Sequence, residues 1–257
     1  KYFLKIPLLI FFFLILYTNS SHSENCNDTI SVEITTQQTR QDNDTLIVTN
    51  EGSVVLTGSN AIDADSHSGV TIDNKGTISA SVNQAIDMQH AVNTTITNSG
   101  TIEATLRNAI LMDGNEADNN TINNSGTLKA GKKQVILATN SENTTIINSG
   151  TIETTNSSNP NTGGINYYNT SGSAINGATI TNSGTIFAYG TAIRFGTPGI
   201  ASKAVNDMTI TNSGTIEGGT ASIAVHNDKA TGTNIITKEE GTYIGAITLN
   251  GTETTFT

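Results

Sequence analysis

Tryptophan is absent from this 257-residue chain, and cysteine occurs once, as Cys26. One cysteine excludes an internal disulfide framework, so stability outside the cytoplasm must come from packing. Basic residues are scarce, 12 Lys and Arg against 22 Asp and Glu, for a formal net charge of −10. No basic patch interleaved with aromatics exists, which disfavours nucleic-acid binding. Helical spacing of apolar residues is lacking as well. The abundant Thr, Asn and Gly are poor helix formers. No nucleophile elbow of the Gly-x-Ser-x-Gly type and no glycine-aspartate nonapeptide occurs. The sequence therefore implies no cofactor and no metal array.

What the chain has is one unit, many times over. Thr95-Ile96-Thr97-Asn98-Ser99-Gly100-Thr101-Ile102 returns as Thr179 to Ile186 and Thr209 to Ile216. Near copies run Thr71 to Ile78, Thr121 to Leu128 and Thr145 to Ile152, and degenerate ones lie around Gly52 and Gly241. The repeat glycines are Gly52, Gly76, Gly100, Gly126, Gly150, Gly184, Gly214 and Gly241. Such a period marks a stacked repeat architecture. A second unit keeps the same phase: Asn60-Ala61-Ile62-Asp63, Gln84-Ala85-Ile86-Asp87, Asn108-Ala109-Ile110-Leu111, Gln134-Val135-Ile136-Leu137 and later Thr191-Ala192-Ile193-Arg194.

Ile96 and Ile102 alternate with outward threonines, as half-buried strands do. Asn-Ser-Gly between them is turn chemistry, since Asn and Gly tolerate positive φ. A unit of this length with three short strands cannot bury a core alone. It suits one coil of a parallel β-helix, each strand pairing with its counterpart one coil on, about 4.8 Å away. An antiparallel sandwich also uses short strands, but gives no reason for a turn tetrapeptide to return in phase. The expected fold is all-β, a single-stranded parallel β-helix of about seven or eight coils of roughly 24–30 residues. The residue two before each glycine is Asn50, Asn74, Asn98, Asn124, Asn148, Asn182 and Asn212. Alternation places these asparagines inward at the corner, where stacked amides can bond from coil to coil as a structural ladder.

In chain order, residues 1–23 read as a secretory signal peptide, with a basic start, the apolar run Leu8 to Tyr17 and a polar Ser21-His22-Ser23 end. The apolar run is too short for a usual membrane span. Ser23-Glu24-Asn25 before Cys26 is a poor match to a lipidation signal. Residues 24–44 are expected to cap the open tube, with Ile30, Val32 and Ile34 alternating. Repeats then fill 45–257. Thr154 to Gly172 reads as a large loop insertion, and Gly196 to Asp207 as a smaller one. The chain reads as a fragment of a longer protein.

These features together resemble the passenger region of a bacterial autotransporter, in which a signal peptide precedes a β-helix with repeats of the Asn-x-Gly-Thr-Ile type. The likeness spans Leu46 to about Ile247, plus the signal. It implies export to the bacterial cell surface, outer membrane or medium, and a C-terminal outer-membrane barrel in the full-length protein. No barrel-like strands with aromatic girdles follow here. Filamentous adhesins secreted through a separate pore share the repeat style, so the secretion route stays open.

The resemblance implies an adhesin or interaction scaffold whose partner is a surface glycan or protein. Tyr167, Tyr168, Phe187 and Tyr189 concentrate four of the few aromatics, and Arg194 lies nearby between inward Ile193 and Phe195. They form the expected binding surface, since insertions in solenoids often carry binding and aromatics dominate hot spots. The bland alternative is that they shield the core. A β-helical polysaccharide lyase or hydrolase is the enzymatic alternative, resting on Asp63 and Asp87 one coil apart; Asp63, Asp65, Ser66 and His67 are the only tight cluster of catalytic residue types. Ice binding is a further alternative, resting on the threonine columns that include Thr95 and Thr101, although Asp73, Ile147, Glu103 and Lys129 interrupt the neighbouring registers. No catalytic residue is assigned.

Overall fold

A computed structural model describes residues 27–114, 117–157, 159, 162–170, 175–196, 205–225, 232, 234–238, 240–249 and 255–257. The proposed signal peptide and Cys26 lie outside the described residues. Each passage of the chain lays down three short strands, for example Thr95–Asn98, Thr101–Ala104 and Ile110–Asp113. Every strand pairs in parallel with its counterpart one coil on, so the molecule is an all-β parallel solenoid. The first sheet has ten strands. The second and third run together as one sheet of sixteen, because the strand Thr215–Val225 continues through the corner between them.

The core follows from the alternation. In the first sheet Ile72, Ile96, Ile122, Ile146, Ile180 and Ile210 stack in register. Ile78, Ile102, Leu128, Ile152, Ile186 and Ile216 do so in the second. The third holds Ile62, Ile86, Ile110, Ile136, Ile165, Ile193 and Ile223. All are buried. Each such side chain contributes on the order of 2 kcal/mol, and only stacked neighbours can supply the covering surface.

Two corners recur. The first is the Asn-x-Gly turn between first and second strands. The second lies two residues before each first-sheet strand, where Asn43, Gly69, Asn93, Asn119, Asn143, Gly177, Asp207 and Gly232 all have positive φ, between 51° and 80°. Among the described residues only Gly, Asn and Asp occupy it, the residue types that enter the left-handed region most cheaply. No single letter marks this column, so glycine spacing does not reveal it.

Two expectations change. Ile30, Val32 and Ile34 do not share one strand: Asn27–Ile30, Glu33–Ile34 and Gln38–Thr39 join the three sheets as a coil. Val32 lies at a corner and is exposed. The segment from Thr154 is also not wholly a loop. Gly163–Tyr168 is a strand of the third sheet, with Ile165 between Ile136 and Ile193. Gly150 to Ile165 spans 15 positions against 10 from Gly126 to Ile136, and Ile165 to Gly184 spans 19 against 14 from Ile136 to Gly150, so the extra residues fall on both sides of this strand.

Candidate functional site

The asparagine column is buried and continuous over six coils. The side-chain Nδ2 of Asn74 donates to Oδ1 of Asn98 at 2.7 Å. Asn98 donates in turn to Asn124, Asn124 to Asn148, Asn148 to Asn182 and Asn182 to Asn212, each at 2.7–2.8 Å. Each of these amides also donates to the carbonyl of its own turn glycine and to a threonine carbonyl one coil on. For Asn124 these are Gly126 at 3.3 Å and Thr151 at 3.1 Å. The donors thus close the corner and tie it to the next coil.

Asn50 is not part of the ladder. Val48 faces Asn74 in register, and Asn50 is exposed. The first corner contains Thr49, Asn50 and Glu51 before Gly52, where the later corners have one residue between asparagine and glycine. Gly52 N–H closes this longer turn on the Thr49 carbonyl at 3.0 Å. Spacing from the glycine therefore points to the wrong residue. With a valine above it, Asn74 Oδ1 is buried without a partner.

The aromatic group divides into core and surface. Tyr167 is fully buried, which corrects its expected place on a binding surface. It lies in register with Ala138 on one side and Phe195 on the other, with ring centroids of Tyr167 and Phe195 5.6 Å apart. The small Ala138 leaves room for the ring, and the hydroxyl pairs with Thr144 Oγ1 at 2.6 Å. Burial pushes the Tyr167 phenol pKa well up. Tyr168, the next residue, points the other way and is half-buried. Its hydroxyl accepts from Arg194 Nη1 at 3.2 Å and from Asn166 Nδ2 at 3.0 Å. Arg194 is outward as expected and also donates from Nη2 to Thr191 Oγ1 at 3.0 Å. Phe187 and Tyr189 make an edge-to-face pair, centroids 4.9 Å apart, on and just beyond the second-sheet strand Thr185–Ala188. No motif in the sequence marks Asn166. Its place between two inward residues becomes visible only once the strand is in register.

Carboxylates gather near the other end. Asp63 and Asp87 are in register on the third sheet, followed by Leu111 and Leu137. Asp87 is 7% exposed and its Oδ2 accepts from Asn60 at 2.8 Å. Burial raises its pKa to about 6, against the lowering effect of the Gln89 N–H; repulsion from Asp63 and Asp65 adds to the rise. The Ser–His–Asp types nearby do not assemble a relay. The Ser66 hydroxyl donates to Asp65, His67 pairs with Asp42 at 3.3 Å, and His90 with Asp65 at 3.3 Å. The Asp42 carboxyl is held below its ordinary value chiefly by the Ser68 N–H, helped by His67.

The raised pKa has a measurable consequence. The folded state holds the Asp87 proton more tightly than the unfolded chain, whose value is 3.8. Its contribution to stability is therefore full below about pH 4 and lost as pH rises through about 6. Asp87→Asn should be more stable than the parent at pH 7.5 by on the order of 1–2 kcal/mol, a figure discounted for partial solvent screening. The two should converge near pH 4. Urea midpoints measured at both pH values check this, and an equal gap at both would count against it.

The threonine columns are stacked as expected, with Thr71, Thr95, Thr121, Thr145, Thr179 and Thr209 in one register. The intervening outward register reads Asp73, Thr97, Asn123, Ile147, Thr181 and Thr211, and so is chemically mixed. Comparison with protein-family models, curated proteins and solved structures gives no match.

Proposed function

We propose that this chain is an exported bacterial β-helix protein, at the cell surface or secreted, that acts as an adhesin or interaction scaffold in the manner of an autotransporter passenger. The observation that supports this most is a regular lateral surface of threonine columns stacked in register, with the asparagine ladder joining the coils beneath it. Near Ser66 the hydroxyl donates to Asp65 and His67 pairs with Asp42, so these residues make no serine–histidine pair. Recognition would fall on the departures from regularity, on the 155–205 side: Tyr168, Arg194, Phe187 and Tyr189. Purified repeat domain should bind cells or extracellular matrix and release no oligosaccharide from a polysaccharide panel. Oligosaccharide release would favour the enzymatic reading, and thermal hysteresis would favour ice binding.

The enzymatic reading has one specific support. Asp87, with a pKa of about 6, stacks on Asp63 and could donate a proton near neutral pH. If it does so, Asp87→Asn should abolish oligosaccharide release while leaving any cell binding intact.

A further inference from the structure

Arg194 is, among the described residues, a cation without a counter-ion. Among the described residues, no carboxylate lies within 4.0 Å of it, although the chain carries a formal net charge of −10. Its register neighbours on the third sheet are Asn166 on one side and Ala224 on the other. Thr191 Oγ1 and Tyr168 Oη accept from its two terminal nitrogens. Its Nε–H is buried and has no partner, and neither has Oδ1 of the fully buried Asn166.

The Tyr168 hydroxyl decides what this group can take. It already accepts two hydrogen bonds, from Arg194 and Asn166, and both of those atoms can only donate. Its lone pairs are occupied and its own proton is unassigned. A half-buried hydroxyl polarised by a guanidinium then presents a donor outward, beside the remaining N–H groups of the same guanidinium. Donors and positive charge converge with no carboxylate of the described residues within 4.0 Å to neutralise them. That is the recognition chemistry of an oxyanion, and a guanidinium fork favours a carboxylate.

We propose that Tyr168 and Arg194 form a carboxylate-binding subsite for an acidic sugar, with Thr191 and Asn166 as positioning residues. This deepens the adhesin reading by naming a ligand class. A sugar with one carboxylate on a neutral body fits better than an acidic polypeptide, because one cation on an acidic surface attracts one charge and repels a polyanion.

The test is a titration of the folded protein with sodium glucuronate, read by the Arg194 Nε–Hε resonance. Glucose and a tri-glutamate peptide serve as comparisons. Glucuronate should shift the resonance saturably, with a Kd on the order of 1 mM for a single sugar, and glucose should not. Arg194→Gln should weaken binding at least tenfold as read by backbone amides, and Tyr168→Phe several-fold, with Arg194 still in place. Unfolding midpoints of both variants establish that they fold. No saturable shift, equal binding of glucose, or undiminished binding by a folded Arg194→Gln protein would overturn the site. Tighter binding of tri-glutamate would overturn the sugar assignment in favour of an acidic protein partner. Saturable glucuronate binding in a protein that attaches to no cell or matrix would sink the adhesin reading and leave the site standing. Attachment of the unaltered protein to cells or matrix with no saturable glucuronate binding would do the reverse.

Discussion

Gly126→Ala should be among the most damaging single added methyl groups in this protein. A Cβ at Gly126 would run into the Gly100 carbonyl oxygen and lie 2.6 Å from the Ser99 carbonyl carbon. Both are backbone atoms of the preceding coil, and the same Gly100 oxygen accepts the Thr127 N–H at 2.9 Å. Relief requires parting two coils that the ladder holds about 4.8 Å apart. The φ at Gly126 is not positive, so the demand is for close approach rather than for a left-handed backbone. The expected loss is about 4 kcal/mol, near the top of what one substitution does. Gly58 provides the control, because nothing lies within 4 Å of a Cβ there. Gly58→Ala should be neutral or slightly stabilising. Urea unfolding of both proteins checks the contrast, and similar midpoints would mean that the repeat glycines are not a packing column.

Asn124→Ala should cost about 2–3 kcal/mol. It removes a donor that serves Asn148 Oδ1, the Gly126 carbonyl and the Thr151 carbonyl, and an acceptor for Asn98. Asn148 Oδ1 is then left buried and bare, which carries the full desolvation penalty of an unpaired acceptor. Asn98 is cushioned, since its Nδ2 still reaches the Gly100 and Thr127 carbonyls at 3.2 Å. Asn50→Ala, at the exposed position that only sequence spacing assigns to the column, should change stability by less than about 0.5 kcal/mol. Thermal or urea midpoints of the pair measure whether membership of the ladder, rather than asparagine as such, sets the effect.

Solenoid, strand direction and inward isoleucines were all legible in the residues. A two-residue alternation and a phase-locked turn have only one economical stacking. The threonine columns and most of the asparagine ladder follow from the same phase. The candidate surface was legible only in part. Tyr167 and Tyr168 are adjacent letters in a stretch with proline and glycines nearby, and read together they look like one loop. Pairing of Ile165 with Ile136 sends Tyr167 inward and Tyr168 outward. Asn166 gained its role only from that register.

By itself, the sequence determined the repeat, its period and which side chains form the core, because local alternation and turn chemistry are written residue by residue. Tertiary structure decided the rest. It set where the ladder begins, through the longer corner that pushes Asn50 out and puts Val48 above Asn74. It settled which aromatic is core, through the space that Ala138 leaves beside Tyr167. Asp87 and Arg194 owe much of their surroundings to it as well, since Asn60 beside Asp87 and Tyr168 beside Arg194 come from neighbouring coils, 26 or more residues away along the chain. A charge or an amide is costly or useful according to what is stacked beside it, and that is a property of register rather than of sequence order.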